Sequence, residues 1–316
     1  MTVAVLGSGA FGMSLAIAMS SVGRKVQLWG RDSVQIADMR KTGKSGPRLP
    51  GIDLPDDLEL VESIPTDAEA YILAVPMQSL RGFLAENADL FVGRDLIAAC
   101  KGIDLETNKT AVQIIDDIGA NASVLSGPSF AADIAVGLPT ALSLASPDDI
   151  SGRRLQRLLA TETLRLYRTQ DRIGVALGGA LKNVVALAAG MTIGAQFGES
   201  ARAALVTRGY AELVRLATNL GADAATLAGL SGFGDLVLSC TSHKSRNFSY
   251  GVALGSGGEL PDTTTEGIAT AKAVANLAQK KGIDMPISCA VSDVLDGELS
   301  IPDAMTSLLS RPLKEE

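Results

Sequence analysis

The first half of the chain carries short β-rich runs, the early ones near-continuous in apolar residues instead of alternating with polar ones. The runs are VAVLG from Val3, KVQLW from Lys25, AYILAV from Ala70, DLIAAC from Asp95, SVLSG from Ser123, TALSLA from Thr140 and LRLYRT from Leu164. A strand with one wet face shows a period of two, whereas a strand covered on both faces needs none. Stretches with helical spacing separate the runs, so the pattern predicts βαβ units and a mostly parallel sheet between Thr2 and about Thr169.

After Asp171 the β-branched runs thin out, and alanine, leucine and glycine take over. LVTRGYAELVRLATNLGA and GIATAKAVANLAQKKGI set apolar residues three and four apart and close on glycine, as helix C-termini often do. The second half therefore reads as all-α. At 316 residues the chain exceeds what one core usually organises, which places two domains at 1–175 and 176–316. SGFGDLVLSCTSHKSRN (231–247) and LGSGGELPDTTTEG (254–267) read as loops able to carry function. No heptad array, repeat or low-complexity tract interrupts the pattern.

VALGGALKNVVALAAGMTIGA (175–195) is apolar enough to suggest a membrane span, but Lys182 and Asn183 sit at its centre. A charge there costs about 2.5–3.5 kcal/mol in lipid, so a buried helix is expected and no membrane insertion. Thirty-five acidic against 28 basic residues, net −7, leave no general attraction for nucleic acid. Cys100, Cys240 and Cys289 are too widely spread for a disulfide framework or a zinc site. They suit a reducing cytoplasm, and no signal peptide is read at Met1.

Gly7, Gly9 and Gly12 form GxGxxG between the first strand and an amphipathic helix, with a second strand close behind. The first glycine serves a tight turn, the second admits a pyrophosphate to the backbone, and the third lets helix pack on strand. The free N–H groups at the helix start favour phosphate. The expected fold is thus α/β, a Rossmann-like N-terminal domain followed by the helical one. At the end of the second strand LWGRD gives conflicting signals. Arg31 can take a 2′-phosphate, whereas Asp32 has the spacing of an acid that holds a ribose 2′-OH. The reading is NADP or NAD, tilted toward NADP.

Hydride transfer to a carbonyl also needs a proton donor. The one histidine, His243, lies in a polar stretch and reads as a surface residue. Lys182 is the better candidate, because an amine in apolar surroundings loses basicity toward neutrality. Lys101 follows a strand at the sheet's carboxyl end, as do Gly127, Pro128 and Ser129. Asp235 can fix a lysine, and Ser245, Arg246 and Asn247 offer donors to a phosphate.

In order, GSGAFG, LWGRD, RLPGIDLP, CKGI, LSGPSFAADIAVGLPTA, GGALKNVVALAAG, SGFGDLVLSCTS, SRN and TEG resemble the bacterial-type NAD(P)-dependent glycerol-3-phosphate dehydrogenases over nearly the whole chain. The resemblance implies reversible reduction of dihydroxyacetone phosphate to sn-glycerol 3-phosphate, a precursor of phospholipids. It implies that Lys182 is the proton acceptor in the oxidative direction, with substrate contacts at Lys101, Gly127, Ser129, Asp235, Ser245, Arg246 and Asn247. Cofactor contacts carry over to Ala10, Phe11, Arg31, Lys101, Ala131, Arg246, Thr264 and Glu266, beside the three glycines. The partners expected are this small-molecule substrate and, among proteins, a homodimer mate. Three positions depart from the family pattern: Cys100 for a serine, Arg48 for an aromatic residue, and Ala10 for a frequent serine. Two other readings compete: a two-domain reductase of the β-hydroxyacid or ketopantoate type, and an NADP(H)-sensing regulator without turnover.

Overall fold

The computed structural model describes residues 2–312. Its eight strands are β1 (Thr2–Leu6), β2 (Lys25–Trp29), β3 (Leu58–Val61), β4 (Ala70–Leu73), β5 (Asp95–Ala98), β6 (Asn121–Ser126), β7 (Thr140–Ala145) and β8 (Leu164–Thr169). They form one sheet in the order β3-β2-β1-β4-β5-β6-β7-β8, with every neighbouring pair parallel except β6 and β7. Helices α1 (Ala10–Ser20), α2 (Ser33–Thr42), α3 (Met77–Glu86), α4 (Ala88–Phe91), α5 (Ala111–Asp117), α6 (Ala131–Ala135) and α7 (Asp149–Leu159) lie among the strands. The strand order reverses between β1 and β4, and ligands of such sheets bind beyond the carboxyl ends at that point.

The dense apolar runs have the cause expected of them. In β1, Val3 and Val5 belong to one buried cluster with Ile72, while Ala4 and Leu6 belong to another with Tyr71 and Leu73. β1 and β4 thus bury both faces, whereas β8 alternates buried Leu164 and Leu166 with exposed Arg165 and Tyr167. The strand LELV at 58–61 escapes the sequence pattern because it is a short edge, half exposed, paired only with β2.

From residue 172 on, the described chain has no strand. It folds into α8 (Arg172–Gly194), α9 (Glu199–Asn219), α10 (Ala224–Leu227), a π-helical turn (Leu230–Gly234), α11 (Asp235–Cys240), α12 (Arg246–Ser256), α13 (Glu266–Lys281), α14 (Pro286–Leu295) and α15 (Ile301–Leu309). The apolar segment around Lys182 is therefore a helix whose residues from Val175 to Thr192 are mostly buried among the others. It packs on α12 backbone to backbone. A Cβ added at Gly190 or Gly194 would collide with the carbonyls of Phe248 or Val252, and one at Gly251 or Gly255 with those of Leu187 or Met191.

The segment 231–247, read from its glycines and serines as a loop, is largely helical. Gly178 on α8 lets the backbone of Ser231 and Gly232 approach so closely that a Cβ there would lie 2.9 Å from the Ser231 carbonyl oxygen. Tertiary contact decides the conformation there, against a composition that disfavours helix. The polar stretch 258–265 does remain irregular, between the Gly257 cap of α12 and the start of α13.

The opening glycines divide their work as their positions suggest. Gly7 has φ 127° and sits so near β4 that a Cβ would lie 2.6 Å from the Ala74 carbonyl oxygen. A Cβ at Gly12 would fall on the Gly7 carbonyl. Gly12→Ala is accordingly expected to push α1 off the turn, lowering stability by about 1–3 kcal/mol and weakening dinucleotide binding. Urea unfolding and fluorescence titration with NADPH check both effects.

Candidate active site

A lysine pair built on one carboxylate occupies the junction of the sheet and the helical half. Lys101 leaves the carboxyl end of β5, Lys182 lies mid-helix on α8, and Asp235 opens α11. Asp235 Oδ2 accepts from Lys101 Nζ at 2.5 Å, and Oδ1 lies 3.1 Å from Lys182 Nζ. Lys182 and Asp235 are only 7% and 1% exposed. Burial drives the Lys182 amine down from its usual value to about 8, with Asp235 opposing that shift and Lys101 adding to it. Burial alone would raise the Asp235 carboxyl, but the ammonium groups of Lys101 and Lys182 outweigh it and hold it below the usual range. The result is a dry amine that can be charged or neutral near neutral pH.

Ser239, missed in the sequence, completes the cluster. Its hydroxyl accepts from Lys182 Nζ at 2.6 Å and donates to Asp235 Oδ1 at 3.3 Å. The signal was its spacing of four from Asp235, which puts both on one helix face. Reading 231–247 as a loop concealed it. Ser126, at the end of β6, also points here. A Cβ on Gly179 would strike its hydroxyl, which is buried without a hydrogen-bond partner among the described residues.

The other expected residues fall around this cluster. Gly127, in extended positive-φ backbone (154°), offers its carbonyl to Lys101 at 3.3 Å and to the Ser129 hydroxyl at 3.0 Å. Ser245 caps α12, accepting from the Phe248 N–H. Arg246 follows in the first turn and is exposed. Asn247 is buried and bridges helices, giving an amide hydrogen to Asn183 and accepting from the Gly267 N–H, both at 2.9 Å. Much of its carboxamide is thus held within the protein. His243 is exposed and stands edge-on to Phe248, away from this lysine cluster's hydrogen bonds.

A nucleotide has a fitting cradle across the junction. The N-terminus of α1 has no side-chain cap, and a Cβ at Gly9 would meet open space. Ala10 and Phe11 are partly exposed in the same turn, and Lys101 Nζ lies 5.9 Å from the Phe11 ring centre. At the end of β2, Asp32 spends one carboxylate oxygen on the N–H groups of Val34 and Gln35, as the cap of α2. That is a structural reason for its spacing, and it leaves Arg31 exposed beside it. Ala131 starts α6 and Thr264 is exposed before α13, while Glu266 Oε1 accepts from the Met77 N–H at 3.3 Å. Burial raises the Glu266 carboxyl, against the Met77 N–H and Arg246. Cys100 is pushed up to about 12 by burial and then by Glu266, so its thiol stays protonated.

A glycine-turn nucleotide cradle facing a buried lysine and aspartate defines a dinucleotide-dependent oxidoreductase. The model of the NAD-dependent glycerol-3-phosphate dehydrogenase N-terminus matches residues 2–151, and that of its C-terminus matches residues 171–306. The chain is 51% identical to "Glycerol-3-phosphate dehydrogenase [NAD(P)+]" of Roseobacter denitrificans, covering all of both chains, and 52% identical to that of Paracoccus denitrificans, again in full. Among solved structures, the glycerol-3-phosphate dehydrogenase of Coxiella burnetii superposes with a TM-score of 0.93 at 33% identity, over 98% of this chain and 99% of that one. The chain belongs to the NAD-dependent glycerol-3-phosphate dehydrogenase family. Neither the ketopantoate-type reductase nor the sensor reading is favoured, since family models match in both halves.

Proposed function

We propose that the protein reduces dihydroxyacetone phosphate to sn-glycerol 3-phosphate with NAD(P)H, reversibly, and so feeds glycerophospholipid synthesis. The observation that carries this reading is the Lys182 amine, dry and lowered to about 8, held between Asp235 and Ser239. A nicotinamide dinucleotide held at the α1 turn would supply the hydride. Lys182, as ammonium, passes a proton to the substrate oxygen at C2 and is left as a neutral amine. Asp235 keeps the ammonium charged inside the protein until that transfer, and Ser239 aims it. Lys101, fixed to the same carboxylate, polarises the C2 oxygen. Arg246 meets the phosphate at the N-terminus of α12, where helix N–H groups also favour an anion. Gly127 and Ser129 border the substrate, with Ser245 and Asn247 holding the Arg246 turn in place. Gly7, Gly9, Gly12, Ala10, Phe11, Ala131, Thr264 and Glu266 surround the cofactor, and Arg31 receives the 2′-phosphate when the cofactor is NADP.

The domain boundary near residue 175 belongs to the same proposal, as do a cytoplasmic location and a homodimer. Three free cysteines support a reducing compartment.

The test is NADPH oxidation with dihydroxyacetone phosphate across a range of pH. Reduction uses the charged amine, so its rate is expected to hold below about 8 and to fall about tenfold per unit above it. Oxidation of glycerol 3-phosphate uses the neutral amine and should rise with pH up to about 8 before levelling. A folded protein that leaves both NADPH and NADH unconsumed at every pH refutes the proposal.

A further inference from the structure

A cavity of about 550 Å3 opens where the segment after Lys101 meets the ends of α8, α9 and α13. Lys101, Lys182 and Asp235 do not line it. Its apolar lining includes Ile103, Leu177 and Leu277, which come from both halves of the chain. Its charged lining is Lys109, Lys280 and Lys281, with no aspartate or glutamate among the lining residues. In a chain of net charge −7 that is a local reversal of sign.

The three cations are not equally committed. Lys109 is paired with Asp117 at 2.7 Å. Lys280 and Lys281, exposed in the last turn of α13, form no ion pair among the described residues. Asn108 lines the same space with φ 57° and a side-chain oxygen that is buried without a hydrogen-bond partner among the described residues. A buried carbonyl oxygen without a partner is unfavourable, and such an atom is ordinarily met by water or a ligand.

We propose that this cavity is a second ligand site, specific for an amphipathic anion. A phosphate or carboxylate head would be met by Lys280 and Lys281, with Asn108 Oδ1 accepting from a hydroxyl of the ligand. A short aliphatic body would lie against Ile103, Leu177 and Leu277. The volume is within the range of small-molecule sites, and an apolar wall with a few convergent polar groups is their usual make-up. The charge of the wall selects anions, and its aliphatic part selects against fully polar ones. The site adjoins the catalytic one without sharing a residue: Ile103 is two residues beyond Lys101, and Leu177 precedes Lys182 by five, about 7.5 Å along the helix.

Octyl phosphate serves as the probe, titrated calorimetrically into enzyme saturated with NADPH and glycerol 3-phosphate so that the reaction site is filled. Octyl phosphate is expected to bind, with inorganic phosphate and octanol each at least about tenfold weaker. The double variant Lys280→Gln, Lys281→Gln is expected to lose about tenfold in octyl phosphate affinity while its NADPH affinity and turnover stay as in the parent. Both lysines are exposed at a helix end, so the variant folds. Equal affinity in parent and variant overturns the site, as does absence of binding into the millimolar range. Inorganic phosphate binding as tightly as octyl phosphate overturns the amphipathic specificity, and octanol doing so overturns the role of the charge.

Discussion

Replacing Lys182 by alanine is expected to reduce turnover with dihydroxyacetone phosphate by about 10³-fold, while NADPH affinity changes less than about twofold. A positioned proton donor is worth roughly 10²–10⁴ in rate, and a thousandfold loss corresponds to about 4 kcal/mol of barrier. The fold tolerates the change because Lys101 remains to neutralise Asp235 at 2.5 Å. Stopped-flow measurement of NADPH oxidation, beside a fluorescence titration of the cofactor, separates the two effects. The residual activity should also lose its break near pH 8, since the group responsible for it is gone. Full turnover in a folded variant would remove Lys182 from the reaction.

Asp235→Ala should damage stability more than Lys182→Ala does. Asp235 neutralises two ammonium groups at once, one of them on a lysine only 7% exposed. Removing one partner of a buried ion pair costs about 3–5 kcal/mol because the remaining charge is left uncompensated. The protein has a second way to respond, which is to release the proton of Lys182. Loss of the carboxylate therefore lowers the Lys182 amine below about 8, and reduction should begin to fail at a lower pH than in the parent. Guanidinium unfolding measures the first effect and the pH profile of turnover the second. An unchanged profile would show that the aspartate does not set the lysine's charge.

The central strands were legible because burial on both faces leaves a dense apolar signature, and β8 was legible from its β-rich alternation of buried and exposed positions. The strand that was missed, Leu58–Val61, is as short as β4 and β5 but lacks their burial. The glycines were legible from their spacing between strand and helix, although only Gly12 meets a neighbour in sequence, the Gly7 carbonyl, while Gly7 is confined by Ala74 far along the chain. Lys182 stood out because a charge amid alanines and leucines is costly unless it has a use. Its connection to Ser239 did not, because it depends on how a glycine- and serine-rich stretch coils against α8. Asp32 shows the reverse problem: its spacing fits a ribose ligand, yet the local need of α2 for an N-cap accounts for the same residue. A sequence cannot separate two uses of an aspartate that share one position.

The meeting of α8 with α12 at main-chain distance has a consequence for how this enzyme can change over evolutionary time. Side chains elsewhere in the helical half can be exchanged for others of different volume, and their neighbours will shift to suit. At Gly190, Gly194, Gly251 and Gly255 no such give exists, because the spacing is set by peptide groups and not by rotamers. The separation between Lys182 and Arg246 at the head of the partner helix is thereby insulated from drift in the surrounding core. Substitutions around that seam would leave the spacing of Lys182 and Arg246 as it is.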